Sequence, residues 1–215
     1  MRALASPSEA KPKPLIVGIS GASGIILGVR TLEILRDIGI ETHLVMTRSA
    51  QVTLAHEMPL KVADMNALAT VTHRIEDIGA SISSGSFPTM GMIIAPCSIR
   101  SLSEISTGVT SSLLTRAADV VLKERRRLVL LVRESPLHLG HLRSMTQVTE
   151  MGAIVMPPVP AFYARPQTVD DIVTQTVGRA LDLFSIDNDV ARRWTGGREE
   201  RGTRKSAGRS GSESS

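Results

Sequence analysis

Arg133 and Glu134 stand side by side in the run Val132-Arg133-Glu134-Ser135-Pro136, just past the apolar stretch Leu128 to Val132. Lys123 and the triplet Arg125-Arg126-Arg127 precede that stretch, and Tyr163 and Arg179 follow it downstream. A cation beside an acid at the end of a buried strand is costly to hold without a ligand. In open α/β sheets that strand end is where ligands bind. Lysine, arginine and tyrosine donors suit an anionic ligand, and a carboxylic acid among them can protonate an oxygen as it departs. Taken alone, the arginine triplet reads as a solvated surface run. Arg179 has an acid within reach in Asp170 or Asp171, and Tyr163, in a proline-rich loop, could simply cover apolar surface.

The elements that must position these groups follow from the apolar pattern. Short apolar runs at Leu15 to Ile19, Glu41 to Met46, Met92 to Ala95, Leu128 to Val132 and Ala153 to Met156 read as strands, the third stopping at Pro96. Between them lie helical segments. Ile25 to Asp37 repeats Ile25, Val29, Leu32 and Leu35 on one face. A helix begins over Gln51 to His56 and breaks at Pro59; Val62 to Leu68, Ser98 to Ile105 and Leu113 to Leu122 follow. His138 to Met151 should turn Leu139, Leu142, Met145 and Val148 inward, and Val169 to Leu183 opens on Asp170-Asp171, which favour its dipole. Ser81 to Pro88 reads as a loop. Strands alternating with helices predict a Rossmann-like, three-layer α/β/α sandwich with a parallel sheet. The expected organisation is a flexible arm over residues 1–13, one domain over 14–190, and a disordered basic Gly/Ser/Arg-rich tail over 191–215.

Two turns at strand ends can hold an anion. Gly18-Ile19-Ser20-Gly21-Ala22-Ser23-Gly24 leaves the first strand for the first helix, where backbone N–H groups are exposed. The dinucleotide pattern G-x-G-x-x-G is absent, because Ile19 occupies a glycine position. The end of the second strand carries Thr47-Arg48-Ser49, not an acid. Those hydroxyls and that cation suit a phosphate, and a mononucleotide better than a dinucleotide. A tight turn with no ligand is the alternative. Ala95-Pro96-Cys97-Ser98-Ile99-Arg100-Ser101 forms the second turn; Ser98 can cap a helix there, or join Arg100 and Ser101 on the same anion. Cys97 has no evident partner base and reads as a small buried thiol.

Composition narrows the classes. The chain has 215 residues, a net charge of +4, 42% hydrophobic and 2% aromatic residues, so its core must be aliphatic. Much of the basic excess is in Arg198 to Ser215, with five Lys/Arg against three acids. That segment reads as a solvated tail, with weak polyanion contact as the alternative. One cysteine excludes an internal disulfide and a multi-cysteine zinc site, and fits a reducing cytoplasm. No apolar run reaches the ~18–20 residues of a membrane span. His138 and His141 have an H-x-x-H spacing with no acidic third ligand, so no metal is assigned.

Seven blocks in order resemble the UbiX-type flavin prenyltransferases: the glycine loop, Ser81 to Phe87, Ala95 to Ser98, Leu114 to Val120, Lys123 to Arg126, Val132 to Leu137 and Pro157 to Tyr163. The resemblance runs from about Pro14 to Ile186. It implies transfer of a dimethylallyl group from dimethylallyl monophosphate to reduced flavin mononucleotide (FMN), without metal. The product, prenylated FMN, would serve a UbiD-type decarboxylase. By the same resemblance Gly21, Ala22, Ser23, Thr47, Ser98, Ile99, Arg100, Ser101 and Arg133 bind the flavin. Tyr163 and Arg179 bind the prenyl phosphate, with Lys123 and Arg116 nearby. Ser23, Glu57 and Glu134 handle protons, with Lys123 counted among the catalytic groups; without the resemblance Glu57 reads as a solvated helix acid. A large homo-oligomer, a dodecamer, with sites at subunit boundaries is implied as well. The competing readings are an FMN-dependent cysteine decarboxylase on a similar fold and a flavin carrier without turnover of its own.

Overall fold

The computed structural model describes residues 12–194. Residues 1–11 of the expected arm and 195–215 of the expected tail lie outside the described residues.

In chain order the elements are β1 (Leu15–Ile19), α1 (Ile26–Asp37), β2 (Thr42–Met46), α2 (Arg48–Glu57), α3 (Val62–Leu68) and β3 (Val71–His73). They continue as β4 (Gly91–Cys97), α4 (Ile99–Thr107), α5 (Leu113–Lys123), β5 (Arg127–Val132), α6 (Leu139–Glu150), β6 (Ile154–Val155) and α7 (Val169–Asp182). The strands form one sheet in the order β3-β2-β1-β4-β5-β6, and every pairing is parallel. Central strands such as β1, Leu-Ile-Val-Gly-Ile, are buried along their whole length, because helices cover both faces. Residues of α1, α2, α3 and α7 pack on one face, and those of α4, α5 and α6 on the other. This is the expected three-layer sandwich. Chain order reverses between β1 and β4, so the loops that leave these two strands face a common crevice.

Local chemistry sets the helix starts. Thr47, Ser98, Ser112 and Thr168 each accept a backbone N–H in the first turn of α2, α4, α5 and α7. Gly108, at φ 73°, ends α4 in the left-handed conformation that glycine adopts without strain.

The structure departs from the sequence reading in five places. β4 does not stop at Pro96 but runs through it to Cys97; the register shifts between Ile94 and Cys97, and such an irregularity tolerates a residue without an N–H. α2 starts at Arg48, three residues before the expected Gln51, because Thr47 caps it. β3 was not foreseen: three residues are too few to show a period. On α6, Val148 is buried, but Leu139 and Leu142 are 59% and 47% exposed. An apolar period marks a face to be covered without saying whether the cover comes from the same chain. Finally, residues 191–194 are not part of a free tail. Ala191 is buried, Arg192 exchanges hydrogen bonds with Gln175 and Ala164, and Arg193 forms an ion pair with Asp182.

At the β2–β3 edge, His43 Nδ1 and His73 Nε2 lie 2.9 Å apart, within hydrogen-bonding distance, while His43 Nε2 is 3.3 Å from the Glu41 carboxylate. Phe87 packs on the buried His43 ring. Burial, then the neighbouring His43, lower the His73 pKa below its ordinary 6.5, against the opposing pull of Asp77. A histidine lowered in the folded state stabilises above the unfolded value and loses that contribution as pH falls through the folded one. The urea midpoint is therefore expected to drop between about pH 7.5 and about pH 5.5, a window above the carboxylate titrations, and His73→Gln should flatten that slope. An equal slope in both proteins would contradict the assignment.

Candidate active site at the strand ends

Backbone hydrogen bonds chain the ends of four strands together. Thr47 N–H donates to Ile19 O (3.0 Å), Ser20 N–H to Pro96 O (3.2 Å), and Arg133 N–H to Cys97 O (3.1 Å). The fully buried Ser20 adds a side-chain bridge: its hydroxyl accepts the Ser98 N–H at 2.7 Å and donates to Pro96 O at 3.1 Å. Gly21 fits against Ser49 so closely that a Cβ there would sit 2.3 Å from the Ser49 hydroxyl. The loops after β1, β2, β4 and β5 are thus one platform.

On this platform lies a cavity of about 430 Å³ bordered by Thr47, Ser49, Ser98, Ser101, Arg48 and Arg100. The N-termini of α2 and α4 both open onto it, so two helix dipoles add to the hydroxyls and guanidiniums. Such a donor set fits one phosphate monoester. Two carboxylates, Glu76 and Glu104, border the same space and hold the arginines: Arg48 pairs with Glu76 and Arg100 with Glu104. Neither acid was among the expected site residues. Glu76 lies in an irregular segment after β3, and no motif marks it.

The N-terminus of α1 is used differently from the expectation. Its exposed N–H groups hold no space for a phosphate, because the Glu57 carboxylate accepts from Gly24 N–H (2.9 Å) and Ile25 N–H (2.9 Å). Burial alone would raise the Glu57 pKa. The Ser23 hydroxyl, the Ile25 and Gly24 N–H groups and the charge of Arg133 outweigh it and hold the carboxyl below its usual range. Glu57 is therefore not a merely solvated helix acid: Ser23, Glu57 and Arg133 form one ionised cluster beside the crevice. The structure brings together Gly21, Ala22, Ser23, Thr47, Ser98, Ile99, Arg100, Ser101, Arg133 and Glu57 at the strand ends.

The remaining expected residues lie elsewhere on the chain. Glu134 follows Arg133 and is exposed in this chain, where it accepts the Ser135 N–H. Lys123 ends α5, beside the start of β5, and pairs with Glu124 near Gly85. Six strand residues separate it from Arg133, a span of roughly 20 Å. Arg116 pairs with Asp119. Tyr163 is half exposed, packs edge-on against Trp194 and receives a long hydrogen bond from Gln175. Arg179 pairs with Asp182, not with Asp170 or Asp171; Asp170 binds Arg30 and Asp171 caps α7. Cys97 is fully buried and its thiol is pushed up to about 12 by that burial, which leaves it without nucleophilic character at neutral pH. Among the described residues no cluster of three or more His, Cys, Asp or Glu could hold a metal, and no helix is long and apolar enough to cross a membrane.

The family model described as Flavoprotein matches residues 3–181. Flavin prenyltransferase UbiX of Escherichia coli (strain K12) is 63% identical over 187 residues, 86% of this chain and 99% of that protein. The chain belongs to the UbiX flavin prenyltransferase family. Among solved structures of the family, AnUbiX (PadA1) in complex with FMN and dimethylallyl pyrophosphate is 46% identical with a TM-score of 0.85, over 86% of this chain and 99% of that one. A dodecameric FMN-dependent UbiX-like decarboxylase from Escherichia coli O157:H7 is 50% identical with a TM-score of 0.83, over 85% and 100%. These flavin prenyltransferases and this chain share the sheet whose ends carry the platform.

Ser20→Ala would remove the partner of the partly buried Ser98 N–H and cost the platform about 1 kcal/mol or more. The expected reading is a lower denaturation midpoint together with weaker flavin binding. A midpoint unchanged from the parent protein would show that the bridge does not hold the two turns together.

Proposed function

We propose that this protein joins the dimethylallyl group of dimethylallyl monophosphate to reduced FMN, and that the prenylated FMN passes to a UbiD-type decarboxylase. The observation that carries the reading is the convergence of Thr47, Ser98, Ser101 and Arg100 on one cavity, with Ser23, Glu57 and Arg133 beside it. The first set is suited to the FMN phosphate and the second to the ring system. Bound there, the flavin supplies a nucleophilic ring nitrogen and an adjacent ring carbon.

The protein's own groups do the rest. Departure of the prenyl phosphate leaves charge on its oxygens, and preorganised cations and a phenol stabilise it. Lys123, Arg116, Arg133, Tyr163 and Arg179 are such donors, and Glu134 can protonate the leaving oxygen. Carbon–carbon bond formation releases a proton from a ring carbon. Ser23 can pass it to Glu57, which is ionised and so has an open acceptor oxygen. The acids Asp170 and Asp171 are committed to Arg30 and to the α7 cap, which supports a phosphate held by side chains, without a metal.

Lys123 stands roughly 20 Å from Arg133 along β5. The donor ring therefore closes between subunits, and we include a dodecamer in the proposal. The uncovered Leu139 and Leu142 on α6 support such an assembly. It would also supply the burial that Glu134 lacks in one chain. A reducing cytoplasmic setting is part of the same reading, supported by the single buried thiol. The FMN-dependent cysteine decarboxylase and the passive carrier are not favoured by any feature of this site.

Anaerobic incubation with reduced FMN and dimethylallyl monophosphate should yield a flavin heavier by one dimethylallyl unit, read by mass spectrometry. Glu57→Gln and Glu134→Gln should each lower the rate by about 100-fold or more while FMN still binds. Unmodified flavin with the parent protein would refute the reading. In light scattering the protein should be a large oligomer; a monomer would leave the donor ring open.

A further inference from the structure

Arg48, one of the two guanidiniums at the strand-end cavity, is already engaged by an acid. It opens α2, and its Nε and Nη2 both donate to one oxygen of Glu76, Oε1, at 3.0 and 2.6 Å. Its side chain borders two cavities: the one of about 430 Å³ at the strand ends, and a neighbouring one of about 260 Å³. Arg48, Ile75 and Glu76 form the wall common to both.

The other arginine of the cavity is held differently. Arg100 pairs with Glu104 one turn along its own helix, and Glu104 is 17% exposed and also accepts the Ser111 hydroxyl at 2.6 Å. Glu76 comes from a segment 28 residues from Arg48, is exposed, and offers Arg48 a single oxygen. The Arg48 side chain is itself 83% exposed, so this pair is screened by water and weak. The Arg48 hydrogen bond, then its own backbone N–H and the charges of Arg48 and Arg74, hold the Glu76 carboxyl below its usual range.

A phosphate monoester between Thr47, Ser49 and Ser98 would offer Arg48 more charge and several acceptor oxygens, the arrangement a guanidinium fork matches best. We propose that Arg48 is a ligand of the flavin phosphate and that it gives up its pairing with Glu76 for that phosphate. Glu76 thereby competes with the phosphate and weakens FMN binding. This rests on the flavin reading above, and deepens it by assigning a phosphate ligand and its internal competitor.

The test is titration of the full-length protein with FMN and with riboflavin, followed by flavin fluorescence at one fixed salt concentration. The parent protein should bind FMN more tightly than riboflavin. Arg48→Ala should weaken FMN by about tenfold and leave riboflavin unchanged. Glu76→Gln should tighten FMN by about threefold, again without effect on riboflavin. The double variant Arg48→Ala/Glu76→Gln should bind FMN as Arg48→Ala does. If Arg48→Ala shifts both flavins equally or neither, or if Glu76→Gln weakens FMN, the exchange is refuted. If the parent protein binds neither flavin, or binds riboflavin as tightly as FMN, the flavin-phosphate reading falls and the exchange with it.

Discussion

The site depends on the ends of β1, β2, β4 and β5 being held in register with one another beyond the sheet itself. The Ser20 hydroxyl is central to this, since it satisfies a backbone donor and a backbone acceptor of the β4–α4 turn at once. A buried donor or acceptor left open costs more than a made hydrogen bond contributes. Such a bridge therefore fixes the two turns even though each is an irregular loop. Once they are fixed, α2 and α4 must point their N-termini at the same space. The serine and threonine caps that start these helices become ligand-facing hydroxyls at no further structural cost.

That arrangement separates two anion-binding tasks that a single glycine-rich loop performs in other nucleotide folds. The N-terminus of α1 is closed by the Glu57 carboxylate, so the dipole of that helix serves a protein acid. The N-termini of α2 and α4 stay open toward the cavity. An ionised acid with a hydroxyl partner thus sits next to, and not within, the phosphate region. This suits chemistry in which a ring is held by its distant phosphate while a proton leaves the ring itself.

Much of the fold was legible because its signals are local. β1, β5, α1 and α7 follow from apolar runs and helical periods, and the Ser98 cap and the acidic first turn of α7 from residue type at a helix start. What was not legible depends on contacts distant in sequence. Pro96 lies inside β4 because the pairing with β5 is irregular there. Glu57 reaches the start of α1 across 32 residues, and Glu76 reaches Arg48 across 28. Leu139 and Leu142 stay exposed because the apolar period of α6 does not say which of its positions this chain covers. The family resemblance named chemically apt residues without the distances between them, and Lys123 lies at the far end of β5 from Arg133.

The central claim is that the phosphate of the bound flavin lies at the paired starts of α2 and α4. A crystal structure of the assembled protein with FMN tests it most directly. The account predicts phosphate oxygens within hydrogen-bonding distance of Thr47, Ser98 and Ser101, with Glu57 still on the Gly24 and Ile25 N–H groups. A phosphate seated on those two N–H groups, with Glu57 displaced, would contradict it.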